Sequence, residues 1–265
     1  IILKKEERIG QVILNRPDKR NALSRKMMQE LPQALDDIAQ DDEVRVVILT
    51  GEGKAFCAGA DTDIMPGGTG EQGLGGLSVE ELRRSFAFKG ARKIIMGLQK
   101  LEKPTIAMVN GVCVGAGFDL ALACDIRIGS ENARFMCGFV KIGLFPGFGA
   151  TWLYPRIMGV VKALELLFTG DALNGEEAAR IGILNKVVSG EELNETTMTM
   201  AQKIAAGPPI ALRLMKAQVY KDLSTDLESA LAEAAICESI TLASQDHREG
   251  ISALRKKQQP VFMGK

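Results

Sequence analysis

The sequence predicts an α/β fold for residues 1–190 and helices alone for residues 191–265. The segment Val44–Leu49 is apolar throughout, which is typical of a parallel strand that is buried on both faces. Strand and helix patterns alternate around it, and this order predicts right-handed βαβ crossovers in a layered sheet. Beyond Ser189 the strand patterns stop and Ala- and Leu-rich amphipathic helices follow. We therefore expect a core domain, 1–190, and a helical oligomerisation region, 191–265.

The N-terminal third reads as short strands around one helix. Ser24 is the expected N-cap of a helix through Ile38, since the apolar residues between them recur at helical spacing. Pro32 lies inside this segment, which predicts a kink or a late start. Residues 65–78 carry six glycines and form a loop long enough to act as a lid or binding loop. A long helix over Val79–Leu101 follows. The strands expected here are Ile1–Lys5, Arg8–Leu14, Val44–Leu49 and Ala55–Ala58.

The remaining two thirds continue this alternation and then become helical. Ser189–Glu192 has the pattern of a capping box, which predicts a helix start. The expected strands are Thr105–Val109, Asp125–Gly129, Ala133–Met136 and Val187–Val188. The expected helices are Ala150–Met158, Val160–Phe168, Asn174–Ile181, Leu193–Ala206, Pro209–Tyr220, Leu227–Leu242 and His247–Lys256.

The composition excludes several classes of function. Lys+Arg and Asp+Glu both number 33, so the net charge is zero, and no long basic run suggests nucleic acid or a membrane as a partner. The charged stretch Lys4–Glu7 argues against a signal peptide, and the longest apolar run, Val112–Leu122, is too short to span a bilayer. The five cysteines show no CxxC pair, which favours reduced thiols and a cytoplasmic location. The single histidine, His247, lies in a polar stretch, so no histidine-based triad or metal cluster is expected.

Two turns made of small residues are the strongest candidates for chemistry. They are Cys57–Asp61 and Val114–Gly117, and the second opens the apolar helical stretch that contains Asp119. If the fold brings the two turns together, two backbone N–H groups meet at one point and form an oxyanion hole for a developing carbonyl charge. A carboxylate among apolar residues is costly unless it has a function or a partner. The alternative is a tightly packed helix start in which Asp119 only caps a neighbouring group.

An ordered set of motifs over nearly the whole chain resembles one known family, the enoyl-CoA hydratase/isomerase (crotonase) superfamily. The motifs are Asn15–Pro17 with Asn21–Leu23, Phe56–Asp61, Lys103–Thr105 with Asn110–Gly111, Gly115–Asp125, Lys141–Leu144 with Pro146–Gly147, Glu176–Val188 and His247–Lys265. The resemblance implies a crotonase-like spiral of ββα units with a C-terminal helical trimerisation region. It also implies an acyl-CoA thioester substrate, a trimer or a hexamer, and a role in fatty acid metabolism such as β-oxidation. No cofactor is expected, because coenzyme A is part of the substrate.

The resemblance assigns roles to individual positions. It implies that the backbone N–H groups of Ala60 and Ala116 form the oxyanion hole and that Asp119 is the catalytic acid or base. The residues that fall where the family holds coenzyme A are Arg20, Ala22, Ala58, Asp61 and Thr62.

The second catalytic acid of such hydratases is missing. One position at which the family carries it holds Phe139, and the alternative position in the following loop holds Gly147. Phe139 could instead line an apolar acyl pocket. The carboxylates that remain as candidate replacements are Asp63, Glu71, Glu80 and Glu81.

Three functions stay open at this point. Motif coverage favours an enoyl-CoA hydratase, which adds water to a 2-enoyl-CoA. One acid suffices to move a proton between two carbons, so an enoyl-CoA delta isomerase or another one-base enzyme is the alternative. A non-catalytic protein that binds CoA esters is the third.

Overall fold

The computed structural model describes residues 1–65, 76–84 and 86–265, and for residues 86–88 the backbone alone. Ten strands form two sheets in this part of the chain. The strands are β1 (Ile2–Glu6), β2 (Ile9–Leu14), β3 (Val46–Gly51), β4 (Ala55–Cys57), β5 (Thr105–Val109), β6 (Val112–Val114), β7 (Ile126–Ser130), β8 (Arg134–Met136), β9 (Ala172–Asn174) and β10 (Lys186–Val188). Of the predicted glycine-rich loop, 65–78, residues 66–75 lie outside the described residues.

The helices of the described residues surround these sheets and then continue beyond them. They are α1 (Arg25–Ala39), α2 (Val79–Arg84), α3 (Phe86–Lys100), α4 (Ala116–Ala123), α5 (Ala150–Met158), α6 (Val160–Thr169), α7 (Gly175–Arg180), α8 (Leu193–Ala205), α9 (Pro209–Asp222), α10 (Leu227–Ala243) and α11 (Gln245–Lys256). Short 3-10 helices occupy Pro17–Lys19, Thr62–Ile64 and Phe139–Ile142.

The sheets are built from consecutive pairs of strands, and the predicted spiral of ββα units is confirmed. The larger sheet has the order β1-β2-β3-β5-β7-β10 and the smaller one β4-β6-β8-β9. Each of the pairs β3/β4, β5/β6 and β7/β8 therefore contributes its first strand to one sheet and its second strand to the other. Within the larger sheet, β2 to β10 are parallel and only β1 is antiparallel. Helices α3, α4 and α5 follow the three pairs in turn.

Strand β3 is buried on both faces, as its continuous apolar sequence predicts. Val47 and Leu49 face the main core between the sheets and helices. Val46 and Ile48 face a second cluster on the opposite side, which α8 covers with Leu193, Ala201 and Ala205. The predicted boundary at 190/191 thus falls just before a helix that packs on the sheet.

Local signals account well for the helix starts. Ser24 caps α1 and accepts a hydrogen bond from the Met27 N–H, and α1 continues through Pro32. Asn174 and Glu177 form a capping box at α7. Within the segment 79–101, expected as one helix, the described residues form α2 and α3, and residue 85 between them lies outside the described part.

Two short strands were missed because they lack any alternating pattern. Val112–Val114 lies in the apolar run Val112–Leu122, for which no strand is predicted, but it pairs with β4 and β8 inside the smaller sheet. Ala172–Asn174 is exposed in part and pairs antiparallel with β8. Both strands owe their conformation to neighbours that are distant in sequence.

Helix α9 is held against the core by a buried charge. The Lys216 ammonium lies 2.8 Å from the Asp125 carboxylate and also donates to the carbonyl oxygens of Leu98 and Lys103. The Asp125 carboxylate further accepts hydrogen bonds from Tyr220 and Thr105. No helix among the described residues is long and apolar enough to cross a membrane.

Candidate active site

The two small-residue turns meet at the start of α4. A Cβ atom placed on Gly59 would lie 2.8 Å from the Val114 carbonyl oxygen and 3.6 Å from the Ala116 nitrogen. The pairing of β4 with β6 brings the turns together, since both turns directly follow these adjacent parallel strands. The fold therefore produces the proximity that the sequence could only suggest.

The amides of Ala60 and Ala116 are both free to donate. Ala60 and Leu23 form a parallel β-bridge. In this bridge the Leu23 N–H donates to the Gly59 carbonyl oxygen, and the Asp61 N–H donates to the Leu23 carbonyl oxygen. Ala60 itself thus directs its N–H away from Leu23. Ala116 is the first residue of α4, where an N–H has no acceptor within the helix. Within the described residues, neither amide donates a hydrogen bond to the protein.

This approach of two backbones depends on glycine. A Cβ atom on Gly117 would lie 2.7 Å from the Cβ of Cys57 and closer still to the Cys57 carbonyl oxygen. Gly115 has φ +53, in the left-handed region that favours glycine. The glycine spacing that the sequence displays is therefore a packing requirement of the turn.

Asp119 lies one turn inside α4 and is fully buried. Burial raises the pKa of its carboxyl group well above the ordinary range, while the nearby Tyr154 hydroxyl lowers that pKa in part. The two side chains fall outside hydrogen-bond geometry, and both Asp119 oxygens lack a partner among the described residues. The carboxyl group is therefore held in a nonpolar environment, three residues after Ala116 on the first turn of α4.

An aromatic ring takes the place of the second acid. Phe139 is buried, and its ring carbon Cζ lies 3.5 Å from the position that a Cβ of Gly115 would occupy. Gly147 is exposed with open space around its Cα. Neither Phe139 nor Gly147 can transfer a proton. The Phe139 ring makes the surface beside Gly115 apolar.

The residues predicted to hold coenzyme A gather on one rim of this site. Arg20 is exposed, and its carbonyl oxygen accepts the Ala58 N–H at 2.9 Å. Ala22 is half-buried and Thr62 is exposed at the start of a 3-10 helix. The Asp61 carboxylate is buried and pairs with Arg16. Burial opposes ionisation of Asp61, but the hydrogen bonds from Arg16 and from the Asp63 N–H lower its pKa overall.

Sequence reasoning missed two side chains of the site. Asn21 is fully buried at φ +57, accepts a hydrogen bond from the Arg16 N–H, and donates to the carbonyl oxygens of Glu52 and Ala55. It thereby joins the rim to β4, and its place in the Asn21–Leu23 motif was the available signal. Tyr154 reaches Asp119 from α5, and nothing in the sequence indicates that contact.

Three of the four candidate replacement acids have partners elsewhere. Asp63 lies 3.5 Å from the Lys19 ammonium. Glu80 pairs with Arg83 and Arg84 on the exposed surface of α2. Glu81 accepts a hydrogen bond from the hydroxyl of Ser78 at the start of α2. The fourth candidate, Glu71, lies outside the described residues. Across the described part of the chain, no group of His, Cys, Asp and Glu side chains could hold a metal ion.

Comparisons with known proteins all identify the same family. Residues 4–265 match the pattern of the enoyl-CoA hydratase/isomerase family. The chain is 38% identical to crotonyl-CoA hydratase of Syntrophomonas wolfei, over 100% of this chain and 98% of the relative. It is 36% identical to 1,2-epoxyphenylacetyl-CoA isomerase of Escherichia coli, over 98% and 97%. The crystal structure of an enoyl-CoA hydratase from Bacillus anthracis superposes with a TM-score of 0.91 at 32% identity, covering 100% and 99%.

Proposed function

This chain belongs to the enoyl-CoA hydratase/isomerase family, and from that premise we propose that it adds water to a 2-enoyl-CoA through a thioester enolate. The observation that carries the proposal is the meeting of the two turns that hold the free amides of Ala60 and Ala116, with the buried Asp119 one turn into the helix that begins there. Two N–H groups aimed at one point suit an oxygen that gains negative charge, and one such donor is worth about 3 kcal/mol in the transition state. The relatives named as hydratases support the choice of reaction.

In this proposal Asp119 acts first as a base and then as an acid. The carboxylate takes a proton from water while the water oxygen bonds to Cβ of the enoyl group, and the thioester oxygen becomes an enolate held by the two amides. The same carboxyl group then returns the proton to Cα, so one residue completes the addition. A carboxyl group with a raised pKa is a stronger base, and this suits the first step.

Isomerisation of a 3-enoyl-CoA is the second candidate, and the apolar Phe139 favours it. With one acid beside the enolate oxygen, a proton can leave one carbon and return at another without any water. The isomerase named among the relatives supports this alternative. The ring of Phe139 beside Gly115 also suits an apolar acyl chain.

Several further features of this function are proposals with narrower support. Coenzyme A is expected along the rim formed by Arg20, Ala22, Ala58 and the 61–62 segment. Oligomerisation through the helical region, as a trimer or hexamer, is supported by the exposed apolar side chains of α9 and α10. A cytoplasmic location, the absence of a cofactor and a role in β-oxidation remain predictions from the sequence.

Ultraviolet absorbance separates the candidate reactions. Loss of the conjugated enoyl band with crotonyl-CoA indicates hydration, and its appearance from a 3-enoyl-CoA indicates isomerisation. An acyl-CoA that raises the Tm without either change would establish binding alone and overturn the enzymatic proposal.

The role of Asp119 has its own test. We expect Asp119→Asn to lose turnover by at least about a hundredfold, because an amide cannot accept the proton. The Kd of a saturated acyl-CoA, measured by calorimetry, should change less than about twofold. Turnover close to that of the unmodified protein would contradict the assigned role.

A further inference from the structure

The Asp119 carboxyl group has one polar neighbour that the proposed reaction leaves unused. In the described residues, four buried side-chain polar atoms lack a hydrogen-bond partner, and three of them are the two Asp119 oxygens and the Tyr154 hydroxyl. Buried polar atoms without partners are rare, because an unpaired buried polar group destabilises the folded state. Their concentration in one adjacent pair indicates a functional contact.

We propose that Tyr154 is a positioning residue for Asp119. The Tyr154 hydroxyl donates a hydrogen bond to the Asp119 carboxylate when the carboxyl group loses its proton. This inference rests on the proposed function in one respect, the role of Asp119 as the acid and base.

The fold holds the Tyr154 ring in a fixed place for this purpose. Helices α4 and α5 pack against each other, and the Tyr154 ring lies 4.8 Å from the ring of Phe118, the residue before Asp119. Phe118 in turn lies 5.1 Å from Phe135 on β8. Tyr154 is fully buried in this cluster, and its hydroxyl lies close enough to the Asp119 carboxyl group for each to influence the pKa of the other.

Among the described residues, no cation lowers the pKa of Asp119, and Arg156 of α5, which packs on α4, is exposed. The lysine and arginine side chains of α3, which packs on α4, are exposed: they are Lys89, Arg92, Lys93 and Lys100. The other titratable groups near Asp119 are the Cys113 thiol from β6 and the Cys137 thiol that follows β8. Thiols are weak donors, so the phenol is the strongest donor that this site offers.

The chemical consequence is a carboxyl group of intermediate basicity. Burial alone raises the pKa of Asp119, and a donor to the carboxylate lowers it again. Without Tyr154 the carboxyl would stay protonated over a wider pH range and could not begin the reaction as a base. The hydroxyl thus keeps the ionised form accessible while the nonpolar surroundings keep it basic.

The test compares the ionisation of Asp119 in Tyr154→Phe and in the unmodified protein. Carbon NMR of the Asp119 carboxyl group in the ligand-free protein measures it. We expect the titration of Asp119 to move to higher pH, and the acidic limb of the kcat profile to move with it. If the midpoint of that limb lies above neutral pH, raising it by a further pH unit lowers kcat at neutral pH about tenfold, while KM for the CoA ester stays within about twofold. Tyr220→Phe is the matched control, because it removes a phenol that binds Asp125 instead.

A second variant covers the case in which Tyr154→Phe folds poorly. The chain has two tyrosines, so 3-fluorotyrosine incorporated in the Tyr220→Phe background replaces Tyr154 alone. A fluorinated phenol is a stronger donor, so the Asp119 titration should move to lower pH.

Titrations that stay unchanged in both variants would overturn the inference, as would a loss of stability with an unaltered pH profile. The NMR titration needs no substrate, so it still decides the contact if Asp119→Asn keeps its turnover and the proposed reaction fails.

Discussion

At the scale of single residues, Asp119 is the least ordinary feature of this protein. Its carboxyl group is fully buried beside a phenol and two thiols, and it has no ion-pair partner among the described residues. Asp61, by contrast, is buried against Arg16, which helps to lower its pKa. Asp61 ends one of the two turns and Asp119 lies in the helix that the other turn opens, and their environments move their pKa values in opposite directions. Such a separation allows one carboxyl group to exchange protons while the other remains a charged structural partner.

The raised pKa of Asp119 predicts a specific dependence of stability on pH. Because the native state holds the proton more tightly than the unfolded state, whose ordinary value is 3.8, the group favours folding at low pH. That contribution is lost as the pH rises towards the folded pKa, at about 1.4 kcal/mol per pH unit. Asp119→Asn removes the titration, so its free energy of unfolding relative to the unmodified protein should increase steadily above about pH 4.

Chemical denaturation at several pH values measures this difference. Asp36→Asn, an exposed position on α1, is the control and should give a curve parallel to that of the unmodified protein. A constant difference between Asp119→Asn and the unmodified protein across the range would contradict a raised pKa.

At the scale of elements, the site depends on how closely α4 approaches β4. The contact involves the backbone of Cys57, which cannot move aside without disturbing the smaller sheet. We therefore expect Gly117→Ala to destabilise the protein by about 3 kcal/mol and to abolish turnover, since the added methyl group separates the two turns. Denaturant unfolding and the enoyl absorbance assay provide the two measurements.

The control for this variant is a glycine in the loop before α5. Gly147 has open space around its Cα and no positive φ, so Gly147→Ala should change stability by less than about 0.5 kcal/mol. Equal effects of the two substitutions would show that the close approach of α4 to β4 is unimportant.

The position of α9 depends on the ion pair between Lys216 and Asp125. The side chain of Lys216 is 7% exposed and that of Asp125 is 18% exposed, so removing one charge leaves the other poorly compensated. Lys216→Met should therefore cost about 3 kcal/mol in the free energy of unfolding. Arg213→Met, one turn earlier, breaks the exposed pair with Glu102 and should cost less than about 1 kcal/mol. Equal costs would mean that the buried pair does not hold α9 in place.

At the scale of the whole molecule, α10 is a long helix that has no buried residue within this chain. Its side facing α9 is half-buried, but apolar side chains also occupy both flanks of that side. The exposed ones are Leu227, Leu231, Ile236, Ile240 and Leu242. A helix that is apolar on several sides is normally buried. This arrangement is the strongest support for assembly through the C-terminal helices.

Sedimentation velocity tests that assembly. We expect the mass of a trimer or a hexamer, and we expect Leu231→Lys to shift it towards the monomer, because a charge cannot enter an apolar interface without cost. Ser239→Lys, placed by helix geometry on the side facing away from α9, should leave the mass unchanged. A monomeric unmodified protein, or a Leu231→Lys variant of unaltered mass, would refute the proposed assembly.

Much of this architecture could be predicted from local sequence. The continuous apolar run at β3, the caps Ser24 and Asn174, and the glycine spacing around Gly115 each reflect backbone geometry and burial within a few residues. These signals indicated the α/β class, most element bounds and the two turns. The short strands β6 and β9 were missed, because three residues carry too little pattern and their pairing partners lie elsewhere in the chain.

The sequence by itself determined most of the elements, the two small-residue turns and the presence of one acid in an apolar helix. Only the tertiary structure decided what surrounds that acid. Tyr154 is distant from Asp119 in sequence and reaches it because α5 packs on α4, while Phe139 closes the opposite wall beside Gly115. Burial, which raises the pKa of Asp119, is likewise a property of the assembled core. Contacts between distant segments depend on packing that no local pattern encodes, and here they govern the proton chemistry of the site.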